Sequence, residues 1–74
     1  MPPRTYNRTW DEIELMLYRA ERTRHDWHTK FIDARESQDR RDMKDAARNY
    51  KALEGVEKTL RWVLGEKDVD HPLC

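Results

Sequence analysis

The sequence predicts an all-α protein: an antiparallel two-helix hairpin over about residues 10–37 and 39–64. Three observations predict it. Apolar residues recur at steps of three and four through most of the chain, which is the spacing of a helix face and, when sustained, of a heptad seam. No stretch alternates apolar and polar residues as a half-buried strand does. The two periodic segments are also of nearly equal length, so a turn between them lets each cover the other.

The chain reads as a single helical domain, 1–74. Residues 1–8 form an extended leader, because Pro2 and Pro3 bias their surroundings away from helix. In "TWDEI", Thr9 is placed to cap a first turn, and Glu12 follows at capping-box spacing. Asp11, Glu12 and Glu14 put negative charge at the positive end of the helix dipole. Trp10, Ile13, Leu17, Ala20, Arg24, Trp27, Phe31 and Ala34 then trace one heptad seam, interrupted only by Arg24. A second stripe runs through Met43, Ala46 or Ala47, Tyr50, Leu53, Val56, Leu60, and Val63 or Leu64. Gly65 is a natural helix stop, and 66–74 reads as an irregular tail.

Between the stripes lies "RESQDRRDMKD", with neither glycine nor proline. A helix running straight from Trp10 to Leu64 would be about 80 Å long and would need partner chains throughout. A turn at Ser37 to Asp39 gives two segments of about 40 Å each, with Ser37 or Asp39 as the second N-cap. Folding at Gln38 sets Trp27 by Asn49 or Tyr50, Phe31 by Ala46, Leu17 by Leu60 and Ile13 by Val63. That pairing of large with smaller residues favours the hairpin, and leaves the rod as a domain-swapped alternative.

One hairpin seam does not accommodate Leu15, Tyr18, Ile32 and Trp62. Left exposed, they form an apolar surface that soluble monomers avoid. A homodimeric four-helix bundle, or a higher oligomer, covers it; leader and tail folding back is the alternative. Trp10, Tyr18, Ile32 and Trp62 are the candidate partner contacts, since Trp and Tyr dominate interface energetics. Gly55, inside a helix at a cost of about 1 kcal/mol, is expected at a close crossing, within the hairpin near Glu21 or between chains; the alternative is a solvent-facing glycine that is merely tolerated.

Composition narrows the function classes. Of the 74 residues, 36% are hydrophobic and 41% charged, so a core of this size is marginal alone. The single Cys74 permits no internal disulfide. Fifteen basic residues balance fifteen acidic ones, which argues against a nucleic-acid or membrane-surface binder. No apolar run suits a membrane span or a signal peptide, so a cytoplasmic protein is expected.

Few residues suggest a site. His25 and His28, with His71 and Cys74, could surround zinc if the tail returns along the hairpin; otherwise they are solvated residues and a frayed end. Arg24 on the seam fixes register by pairing with Glu54 or Glu57, or snorkels to the rim. Arg19, Arg22, Arg24, Lys30, Arg48 and Lys51, near Tyr18, Trp27 and Tyr50, make a basic waist that could hold a nucleotide-like anion. The same charges also suit a solvated face of i,i+4 pairs. No phosphate loop, zinc-protease motif or nucleophile elbow is present, and no cofactor is implied, so a non-enzyme is expected.

"ALEGVEKTLRWVLGE", Ala52 to Glu66, resembles the closing helix of small helical proteins of actinobacterial bacteriophages. The resemblance is carried by Leu53, Gly55, Val56, Leu60, Trp62, Val63 and Leu64. It implies an origin rather than a mechanism: phages encode many such chains as binders of host proteins or decoys for defence signals, and it transfers no site residue. The expected function is a small interaction protein acting on a host protein partner through helix faces. An oligomeric sponge for a nucleotide-like ligand is the alternative.

Overall fold

The structure, a computed structural model, describes residues 7–73. It contains α1 (Trp10–Glu36) and α2 (Arg40–Val63), packed antiparallel, and no strand among the described residues. Both ends of the hairpin follow from local chemistry. Thr9 is extended, and its hydroxyl oxygen accepts the Glu12 backbone N–H at 3.1 Å, which satisfies one of the orphan donors of the first turn. The Glu12 carboxylate pairs with Arg8 at 3.2 Å.

The turn without glycine is built by Gln38. Its φ of 58° places it in the left-handed region. Its N–H donates to the Arg35 carbonyl, and the Asp39 N–H donates to the Ala34 carbonyl. These two bonds make a Schellman motif, normally closed by glycine. Of the two candidate caps, Asp39 starts α2 by accepting the Asp42 N–H at 3.1 Å. That N–H bond holds the Asp39 carboxyl below the usual range, while hydrogen bonding to Asp39 and its charge push the Asp42 carboxyl up. Ser37 instead closes α1, its hydroxyl donating to the Asp33 and Ala34 carbonyls. At the end of α2 the same motif recurs with Gly65 at φ 75°.

The α1 seam faces α2 as expected from Ile13 to Ala34. On α2 the seam residues are Met43, Ala46, Tyr50, Leu53, Glu57, Leu60 and Leu64, a strict three-four alternation. Val56 therefore does not belong to the seam: it is 36% exposed, and Glu57 occupies its place at 1%. Ala47 and Val63 are likewise outside it. Ile32, expected as an exposed contact, is half-buried, because it flanks the seam. Gly55 makes no crossing within the hairpin, since an added Cβ would meet nothing within 4 Å.

Among the described residues, the fully buried apolar ones are only Ala20, Ala34 and Ala46, and the larger seam side chains are half-covered. The radius of gyration is 15.4 Å, against about 11 Å for a compact domain of this length. The chain exposes 6625 Å², where a compact monomer of its mass exposes about 4900 Å².

Replacing Gln38 by Gly removes the left-handed penalty and is expected to stabilise the hairpin by about 1 kcal/mol. Gly65→Ala is expected to cost a similar amount. Urea unfolding midpoints check both.

Candidate functional site

Two features of the folded chain go beyond ordinary helix packing: a charged cluster inside the seam and an apolar surface outside it. The cluster is centred on Glu57. Its Oε2 pairs with Arg24 Nε, and its Oε1 accepts from Arg61 Nη2 at 3.2 Å. Arg61 also donates to Glu21 Oε1 at 3.1 Å and lies 3.7 Å from Glu66. Arg24 Nη1 donates to the Tyr50 hydroxyl at 3.0 Å, with its guanidinium over the Tyr50 ring. Burial disfavours the Arg24 charge, but the hydrogen bonds from Arg24 to Tyr50 and Glu57 outweigh it and raise its pKa above the ordinary value. Arg24 thus reaches Glu57, one of its two expected partners.

This arrangement consumes the middle of the expected basic waist. Lys51 pairs with Glu54 at 3.3 Å, Arg22 donates to the Tyr18 hydroxyl at 3.0 Å, and Lys30 lies 4.3 Å from the centre of the Trp27 ring. Arg48 lines an open groove with Arg41 and Lys44, where Asp39, Asp42 and Asp45 balance their charge. Arg19 is exposed on α1. The six basic residues do not converge on one cavity. The apolar hollow beside the waist, lined by His28, Phe31, Ala47, Tyr50 and Lys51, holds about 190 Å³, below the roughly 300 Å³ at which ligand pockets begin.

The histidines are held apart. His28 stacks at a tilt on Tyr50 in the middle of the hairpin, and His71 meets Trp62 edge-on at 5.0 Å at the open end. His25 is exposed, and Cys74 lies outside the described residues. Among the described residues no three His, Cys, Asp or Glu side chains cluster as metal ligands would. No helix of the described residues is long and apolar enough to cross a membrane.

Of the expected partner contacts, Trp10 (64%), Tyr18 (55%) and Trp62 (45%) are exposed. Leu15, Met16 and Val63 are exposed as well. The reading of one stripe per helix misses a second stripe on α2: Ala52, Gly55, Val56, Thr59, Trp62 and Val63 all face outward. Their spacing is that of a helix face, so testing a second frame on α2 would have found it. Met16 on α1 carries no such periodic signal, and only the packing places it beside this stripe, in a groove shared with Ala52, Gly55, Val56, Lys58, Thr59, Leu60 and Pro72.

Comparison with protein-family models, with curated proteins and with solved structures yields no match.

Removing the Glu57 carboxylate leaves two arginines facing the seam. Glu57→Ala is expected to cost about 2–3 kcal/mol, less than for a fully buried pair because water reaches both arginines. Arg24→Met with Glu57→Leu is expected to restore stability to within about 1 kcal/mol. Thermal and urea unfolding of the two variants and the parent chain measure this.

Proposed function

We propose that this chain is a small non-enzymatic interaction protein that self-associates and binds a protein partner through exposed helix faces. The observation that carries the reading is the imbalance between inside and outside. Among the described residues three alanines and one glutamate are buried, while Trp10, Leu15, Met16, Tyr18, Val56, Trp62 and Val63 are exposed. Such a surface suits binding, because aromatic side chains bring large apolar area with few rotatable bonds. The excess of exposed area over a compact monomer supports a homo-oligomer, with a dimeric four-helix arrangement as the smallest closed form. Trp10, Leu15 and Tyr18, on the first turns of α1, are then the surface for a different protein. The phage-like closing helix suggests a host bacterial protein as that partner.

The test is capture from an actinobacterial lysate on immobilised chain, with a Trp10→Ala/Tyr18→Ala variant as comparison. Both side chains are exposed, so stability is expected to change by no more than about 0.5 kcal/mol. A host protein retained by the parent chain and lost with the variant supports the reading. Equal retention by both, or none by either, overturns it. So does a nucleotide that raises the melting temperature at millimolar concentration, which would show an anion receptor instead.

A further inference from the structure

We propose that the outer stripe of α2 is a self-association surface, on which a second copy of the chain docks antiparallel about a two-fold axis at Gly55. The proposal deepens the self-association in the reading above by naming its interface.

The stripe is apolar over Ala52, Gly55, Val56, Thr59, Trp62 and Val63, and Met16 of α1 continues it. Its one hydroxyl is already satisfied, since Thr59 Oγ1 donates to the Gly55 carbonyl at 2.9 Å. A partner therefore covers this hydroxyl without stranding it. A second copy is the occupant that the residues of the stripe favour. A two-fold interface must also be self-complementary, and the outermost line of α2 is. Arg41, Arg48, Gly55 and Trp62 follow one another at heptad steps. With the axis at Gly55, Arg48 of each copy comes to Trp62 of the other, because both lie seven residues from the axis. An arginine over an exposed indole is a favourable pair. Within one chain the two are about 21 Å apart along the helix and cannot meet. The absence of a side chain at Gly55, with open space above it, lets the two helices approach at the axis.

The test begins with sedimentation equilibrium of the full chain at micromolar concentration. The expected mass is twice 9.1 kDa. Val56→Glu is expected to weaken the dimer by about tenfold or more, since it places like charges close to the axis. Arg48→Ala and Trp62→Ala are each expected to weaken it, and the double variant to weaken it less than the product of the two, as for side chains in contact. A chain with Gly55→Cys and Cys74→Ser is expected to oxidise to a covalent dimer, whereas Thr29→Cys with Cys74→Ser, on the exposed side of α1, is not. Far-UV circular dichroism confirms that each variant is helical, and the cross-link decides the matter should Val56→Glu unfold. A monomer overturns the proposal and self-association together. A dimer that is not cross-linked through Gly55→Cys, and in which Arg48 and Trp62 act independently, overturns this interface alone. Lysate capture through Trp10 and Tyr18 is read separately, so loss of the partner leaves a Gly55-centred dimer standing.

Discussion

The hairpin depends on where Glu57 sits. A carboxylate at 1% exposure in a two-helix seam is tolerable only with its oxygens paired. Arg24 from α1 and Arg61 from α2 supply the partners. The other fully buried residues are alanines, whose small round side chains discriminate poorly between registers. A slip of one heptad would place Glu57 against Leu17 or Phe31 instead of Arg24, and would bury an unpaired charge. The cluster therefore adds little net stability compared with an apolar seam but makes neighbouring registers costly. Tyr50 extends this control by accepting from Arg24.

A seam that gives a central position to charge leaves less apolar area inside. The chain contains enough large apolar residues for a fuller core, yet many of them point outward. They lie on both helices: Trp10, Leu15, Met16 and Tyr18 on the first turns of α1, and Val56, Trp62 and Val63 towards the end of α2. Along the middle of α1 the outer polar groups are satisfied within the helix: Thr23 and Thr29 donate to the carbonyls of Arg19 and His25, and Arg22 donates to Tyr18. On α2, the outer face over the last three turns is nearly free of charge.

Much of this was legible in the sequence, for identifiable reasons. The cap at Thr9, the stop at Gly65 and the α1 seam rest on strong local signals: a hydroxyl before an acidic first turn, a glycine after the last apolar residue, and a sustained heptad. The pairing of Arg24 with Glu57 was legible as one of two options, since a charge on a seam needs an opposite charge across it. The α2 seam was misread at one position because Val56 and Glu57 are adjacent, and hydrophobicity favours the valine. Strict three-four spacing from Tyr50 and Leu53 favours the glutamate, and tertiary pairing decided for it. The role of Ser37 was ambiguous because serine and aspartate both cap helices; the two-residue offset that the Schellman turn imposes selects Asp39. Gln38 carries no signal for a left-handed turn, since the conformation is imposed by the two helices that it joins. The exposure of Gly55 depends on the rotation of α2 about its axis, which follows from the seam frame and so inherited the same error.

That rotation explains why α2 carries a second apolar stripe along its outer side. With Glu57 turned inward, Val56 must turn outward, and it takes Ala52, Thr59 and Val63 with it, because these residues share a face at steps of three and four. Had the valine been in the seam, α2 would present Glu57 and Lys58 to solvent and would have no second stripe. The buried carboxylate therefore does two things in one geometric step. It fixes how α1 lies on α2, and it turns the apolar residues of the neighbouring frame towards whatever lies beyond α2. In an isolated chain the second effect leaves apolar surface in water. In an assembly with α2 at its centre and α1 outside, the same rotation gives the inner helix two apolar faces and leaves the satisfied polar middle of α1 to the solvent.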